Sequence, residues 1–402
     1  MIYLDYSATT PLDPKVLKVM LPFFSKDFAN PASVHTPGQT ALKAVDDARY
    51  SIAKILGVSG QEIIFTSGAT EANNLALKGI IESSSLRKKH IITTSIEHDS
   101  ILEPCAYLEK RGVNVTYVPV DNQGLVNPEN IIKAIRPETI LVSIGYVNSE
   151  TGSIQPIKKI GRLLKNYNEK NYKLWLNTSP RKRGPKPQPI YFHTDATQAP
   201  NFLNCQPEVL HVDLMSLSSH KVYGPKGIGL LYIRSGVPIN SLVQGGHQER
   251  NLRSGTVHVP GVVGFAEALI LAIKNQSTAY KKIRKLRDQL CNTLQKKLPQ
   301  IIINTPLTNS APSHLNISFP GLEGDIIQAL LDEKGLAVST GSACASGDIT
   351  TSHVLMAMTH DEKISQGALR LTLGKLTTRK EITKSSLIIS KVIKKLSLSL
   401  KS

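Results

Sequence analysis

The chain has 402 residues, 41% of them hydrophobic and 20% charged, with a net charge of +17. That length suits one large domain plus a smaller one, and the composition is globular, which excludes a disordered or collagen-like chain. No uninterrupted apolar run reaches the roughly 18 residues that a membrane-spanning helix needs. Residues Met1 to Tyr6 lack the basic-then-apolar pattern of a secretory leader. Four cysteines (Cys105, Cys205, Cys291, Cys344) are scattered without metal-type spacing. They predict a reducing, cytoplasmic setting and no metal site.

Taken in chain order, Glu62 to Thr66 reads as a strand and Thr70 to Ile81 as the helix after it. His90–Thr94, Val113–Val118 and Thr139–Ile144 read as further strands. Asn166–Pro189 breaks the pattern. Its stretch Asn177–Pro189 holds four prolines, a glycine and four cations, which cannot continue a helix or a central strand. An exposed, mobile loop is expected there. Val212–Leu217 is the next strand, leading to Lys221, and Ile228–Ile233 follows it. Gly261–Lys274 is an apolar helix. Past residue 275 the chain turns lysine-rich and begins a new pattern, helix Ile283–Leu298 and strand Leu315–Phe319. Strands alternating with amphipathic helices predict an α/β fold with a mainly parallel sheet. The large domain is expected over 15–260, and a smaller α+β domain from 1–14 and 261–402.

The positive charge is uneven. Residues 165–190 carry seven Lys/Arg against one Glu, and residues 375–402 carry eight against one. Such patches attract acidic partners. With no nucleic-acid-binding motif beside them, they read first as solvated surface.

Several strand ends carry chemistry. Asp195, in His193-Thr194-Asp195-Ala196-Thr197-Gln198, closes one apolar run, and Lys221, in Ser218-Ser219-His220-Lys221, follows another. A lysine able to form a Schiff base and a carboxylate able to pair with a pyridinium nitrogen are what pyridoxal phosphate chemistry requires. Thr66-Ser67-Gly68-Ala69-Thr70-Glu71 turns from strand to helix, a site for a phosphate at the helix N-terminus. Ser218 and His220 offer further donors. His98 follows the His90–Thr94 strand, where open α/β sheets bind ligands, and an imidazole there can stack on a ring and move protons. Asn148 can donate to a ring oxygen or a carboxylate. Arg370 sits within an apolar run and needs a partner, either a ligand carboxylate or an internal acidic residue. Cys344 lies on a loop of small residues, Ser339 to Gly347, where a thiol has access and freedom to react.

Taken together, these motifs resemble a cysteine desulfurase, a fold-type I pyridoxal phosphate enzyme of the class-V aminotransferase group. The likeness runs nearly end to end: Leu4 to Pro11, Asn30-Pro31-Ala32-Ser33, Thr66 to Glu71, Glu97-His98, Val147-Asn148, Asp195 to Gln198, Ser218 to Lys221, Arg253-Ser254-Gly255-Thr256, Gly341-Ser342-Ala343-Cys344 and Arg370. The Gly-Ser-Ala-Cys loop resembles the group that feeds iron–sulfur assembly and nitrogen-fixation-type systems. The resemblance implies that Lys221 is the Schiff-base lysine, Cys344 the persulfide-forming nucleophile and His98 the ring-stacking acid/base. It gives Asp195 the ring nitrogen and Gln198 the ring hydroxyl. Ala69, Thr70, Ser218 and His220 hold the phosphate, and Asn148 and Arg370 the substrate carboxylate. Thr256 reaches the partner subunit's phosphate, which implies a homodimer. L-cysteine is the implied substrate, an iron–sulfur scaffold the implied sulfur acceptor, and the cytoplasm the implied location. The chain departs from the family at Ser149, His247 and Asn251 and in the basic Asn166–Pro189 insertion. Another fold-type I enzyme, an aminotransferase or a selenocysteine lyase, and a non-catalytic basic interaction protein are the competing readings.

Overall fold

The computed structural model describes residues 1–180, 182–340 and 351–399. Seven strands form the central sheet: β1 (Ile63–Thr66), β2 (His90–Thr94), β3 (Asn114–Val118), β4 (Thr139–Ser143), β5 (Tyr191–Asp195), β6 (Leu214–Ser218) and β7 (Gly229–Ile233). Their order is β1-β7-β6-β5-β4-β2-β3. β7 runs antiparallel to both neighbours, and every other pairing is parallel. This is the mainly parallel sheet that the strand–helix alternation predicts.

Helices cover both faces, so the inner strands are buried throughout and read as continuous apolar runs. Ile63 and Phe65 face one core, with the helix Thr36–Leu56. Ile64 faces the other, with α1 (Ala69–Ser83) and α2 (Asp99–Glu109). The edge strand β3, Asn-Val-Thr-Tyr-Val, alone is largely exposed.

Helix α3 (Ile157–Asn177) overturns part of the loop expected at Asn166–Pro189. Residues 166–177 contain no Gly or Pro, so nothing stops the helix before Asn177. The irregular part begins at Thr178. Helix α4 (Val259–Lys297) is one helix of 39 residues where the sequence predicts two. The polar stretch 275–282 has no breaker either, and it carries the helix from one core to another. Val262, Phe265 and Leu269 pack under the sheet, whereas Ile283, Leu290 and Leu294 belong to a second core.

That second core is built on a three-stranded antiparallel sheet, Ile302–Ile303, β8 (His314–Ser318) and β9 (Ala368–Thr372), with β8 in the middle. The N-terminal arm joins it. Ile2–Tyr3 pairs in parallel with Leu336–Ala337, and the Thr372 N–H donates to the Leu4 carbonyl at 2.7 Å. From there the arm crosses to the large sheet. Among the described residues no helix is long and apolar enough to cross a membrane.

Candidate functional site

A cavity of ≈650 Å³ opens at the C-terminal ends of β1, β2, β4, β5 and β6. It is the crevice where open α/β sheets take ligands. Ten of the predicted residues line it: Ala69, Thr70, His98, Asn148, Asp195, Gln198, Ser218, His220, Lys221 and Arg370. They come from six separate stretches of chain, which only the packing of the elements brings together.

Lys221 ends a 3-10 turn, Ser219–Lys221, that continues directly from β6. Its Nζ donates to the carbonyls of Ser7 and Ala8 at 2.6 and 2.7 Å. Gln198 reaches the same arm, donating to the Ser7 carbonyl and hydroxyl at 3.0 Å. The Nδ1 of His220 lies 3.1 Å from the Thr9 hydroxyl. Burial, reinforced by the Lys221 and Lys226 charges, pushes His220 down to about 4, so at neutral pH it is an uncharged donor or acceptor. The N-terminal arm is therefore one wall of the site.

Asp195 ends β5. Its Oδ2 accepts from Asn73 Nδ2 at 2.7 Å, and its Oδ1 from the Thr197 N–H at 2.9 Å. Asn73 lies on the inner face of α1 and also donates to Ser100. At the other end of the cavity, α1 begins at Gly68 without a side-chain cap. The Glu71 carboxylate instead accepts from the Ser67 N–H, and Ala69 and Thr70, in the first turn, line the cavity. Gly229 permits this turn. A Cβ there would lie 2.7 Å from the Gly68 backbone.

His98 is the N-cap of α2. Its Nδ1 accepts from the Ser100 N–H at 3.0 Å, and the ring is exposed to the cavity. Beside it Glu97 is buried, accepting from Thr94 at 2.7 Å and from the Gly145 N–H at 2.9 Å. Burial pushes this carboxyl up to about 7. Arg370 is buried in the middle of β9. It pairs with Asp5 at 2.9 Å, and its Nε has no partner among the described residues. Asn148 Oδ1 caps its own turn through the N–H groups of Glu150 and Thr151, and Nδ2 donates to Ile96 O. Much of the amide is thus spent on loop geometry.

Thr256 is exposed and does not line this cavity. Cys344 lies outside the described residues. Burial pushes the thiols of Cys105 and Cys205 up to about 12 and raises that of Cys291. None of these three has thiolate character.

The donor set fits a phosphorylated pyridine ring. The α1 N-terminus would hold the phosphate and the doubly hydrogen-bonded Asp195 carboxylate would meet a ring N–H, with the Lys221 amine and the exposed His98 imidazole lining the same cavity. Thr197 lines the same space, and its buried hydroxyl has no partner among the described residues. Sequence reasoning missed Asp5, Ser7, Asn73 and Thr197. Asn73 was findable as a polar residue on the apolar face of an amphipathic helix, whereas Asp5 gave no local signal.

The class-V aminotransferase family model matches residues 2–171 and 183–384. Over 395 residues the chain is 42% identical to the cysteine desulfurase IscS of Dictyoglomus turgidum, covering 98% of this chain and 95% of that protein. A solved NifS-like protein superposes with a TM-score of 0.87 at 40% identity, covering 99% of each chain. The structure of SspA in complex with cysteine superposes with a TM-score of 0.76 at 35% identity, over 93% of this chain and 99% of that one. Sequence and fold agree along nearly the whole length, and the chain belongs to the class-V aminotransferase family.

Proposed function

We propose that this chain is a pyridoxal-phosphate-dependent cysteine desulfurase that converts L-cysteine to L-alanine and passes the sulfur to Cys344. The observation that carries the reading is the meeting of Lys221, Asp195 and Arg370 in one cavity. It is supported by the 42% identity to a cysteine desulfurase over 98% of the chain. When bound, pyridoxal phosphate supplies a reactive aldehyde and an electron-accepting ring.

The chain's own groups do the rest. The α1 amides at Ala69 and Thr70, with Ser218 and His220, hold the phosphate. Asp195, oriented by Asn73, takes the ring N–H, and Gln198 the ring hydroxyl. His98 covers the ring face. Arg370 and Asn148 receive the substrate carboxylate. Lys221 Nζ takes up the substrate α-proton and returns a proton to Cα before alanine leaves. Cys344, as thiolate, accepts the substrate sulfur. The C–S bond breaks with its electron pair left on carbon, which gains a proton, and an S–S bond forms on Cys344. Alanine and a persulfide are the products.

The exposure of Thr256 outside its own cavity supports a homodimer in which this loop serves the other subunit. On the same reading the enzyme works in the cytoplasm, and an iron–sulfur scaffold protein accepts the sulfur. The boundary between the two domains falls within α4, between Leu269 and Ile283, where its packing changes core.

The test is a single assay. Purified protein is given L-cysteine after its pyridoxal phosphate absorbance is recorded, and alanine and sulfide are quantified for wild type and Cys344→Ala. Alanine from wild type and none from the variant is expected. An intact absorbance with no cysteine-dependent alanine would move the chain to another pyridoxal phosphate reaction. No absorbance would leave only a binding role.

A further inference from the structure

The most unusual surface of the molecule lies far from the cavity. Leu164 is the last buried residue of α3 and Tyr167 still packs against the core, so the helix runs beyond the body over residues 169–177, roughly 13 Å at 1.5 Å per residue. The return chain is bracketed to the helix at Asn168. Its side chain donates to the Ile190 carbonyl at 2.9 Å and accepts from the Ile190 N–H at 3.0 Å. What hangs beyond this bracket is a small knob. The interval between the two stretches matched by the family model, 172–182, falls within it.

The knob is ordered by its own contacts. Tyr172 and Trp175 stack at 5.8 Å and 19°. Arg183 lies 4.8 Å over Trp175, and Lys186 5.2 Å over Tyr172. Trp175 Nε1 donates to the Gly184 carbonyl, and Arg183 donates to the carbonyls of Thr178 and Leu176. The prolines and cations expected as a mobile loop are thus pinned to the end of a helix. Cations held this way give up little side-chain entropy on binding. Around them Lys170, Lys173 and Lys182 are exposed, opposed only by Glu169, and Leu174 and Leu176 are 58% and 43% exposed.

We infer that this knob is a docking site for an acidic protein segment that also carries apolar side chains. The charge selects an anion. The two leucines select against a bare phosphate backbone, which offers them nothing to bury against. Both aromatic rings are already engaged, so they are not available as platforms for unstacked bases. The knob joins the sheet at the N-terminal end of β5, whereas the cavity lies at the C-terminal ends. It therefore tethers a partner without touching the chemistry, and the inference stands whether or not the chain is a desulfurase.

Trp175 is the sole tryptophan, so its emission reports on the knob alone. The full-length holoenzyme is titrated with three probes: a tryptophan-free Glu/Leu peptide, the same peptide with Leu replaced by Ser, and an RNA duplex. The Glu/Leu peptide should shift Trp175 emission and bind about tenfold more tightly than the other two. Lys170→Glu/Lys173→Glu/Lys182→Glu should weaken it at least about tenfold, and Leu174→Ser/Leu176→Ser about fivefold. In both variants the unliganded Trp175 emission and turnover of L-cysteine should match wild type. RNA binding as tight as the Glu/Leu peptide, equal binding by the lysine variant, or lost turnover in a variant of normal emission would each overturn the assignment.

Discussion

Arg370 and Asp5 form a buried ion pair at 2.9 Å between strand β9 and the N-terminal arm. The same guanidinium leaves its Nε without a partner among the described residues and borders the cavity. Asp5 thus holds in place a cation that borders the space a substrate carboxylate would enter. Arg370→Lys keeps the charge but loses the planar fork. KM for L-cysteine should rise about tenfold with cofactor content unchanged, as loss of a charge-assisted hydrogen bond worth about 1.5 kcal/mol implies. Steady-state kinetics checks this, and an unchanged KM would remove Arg370 from substrate binding.

Asn73 donates to Asp195 at 2.7 Å, so it sets how that carboxylate meets the ring nitrogen. Asn73→Ala should weaken pyridoxal phosphate binding by about tenfold, the worth of one charge-assisted hydrogen bond. Asn73→Asp keeps the shape but sets a second carboxylate beside the first, and should cost more. Titration of the apoenzyme with pyridoxal phosphate, followed by absorbance, distinguishes the two. Equal losses would mean that packing, not charge, is what Asn73 supplies.

Gly229 and Gly68 touch backbone to backbone. An added Cβ at Gly229 would also lie 2.7 Å from the Leu217 carbonyl, and neither neighbour is a side chain that can swing away. Gly229→Ala should cost about 1–3 kcal/mol by overpacking. It should also displace the phosphate turn, so weaker cofactor affinity should accompany the lower melting temperature. Lost stability with normal affinity would separate the sheet from the turn.

Buried histidines make the fold acid-sensitive. Burial lowers His90, His193 and His220 to about 4 and His314 to about 3. Unfolded histidine titrates near 6.5, so between those values the unfolded chain binds more protons. The stability from neutral histidine is therefore complete above pH ~6.5 and lost as pH falls toward 4. Glu97, raised to about 7, and Glu150 and Asp213, also raised by burial, act in the opposite sense, three carboxyls against these four rings. The melting temperature should fall as pH drops from 6.5 to 4.5, and His193→Gln should show a shallower fall from a lower start. A flat profile in wild type would contradict the burial of these rings.

The sequence by itself determined the strands and the residues at their ends. β7 runs over Gly229–Ile233, within the apolar run read at Ile228–Ile233, because strands buried on both faces leave a near-continuous hydrophobic signature. Lys221, Asp195 and His98 were legible because each follows such a run, and the sheet order delivers such positions to one edge. Tertiary structure alone decided the partners. Asp5 meets Arg370 across 365 residues, and Asn73 meets Asp195 across 122. It also decided that α4 continues unbroken between two cores and that cations and prolines close on Trp175 rather than trail in solvent. Local patterns record which face of an element is buried. Which polar groups then face each other depends on how the elements pack, and no short stretch of chain carries that information.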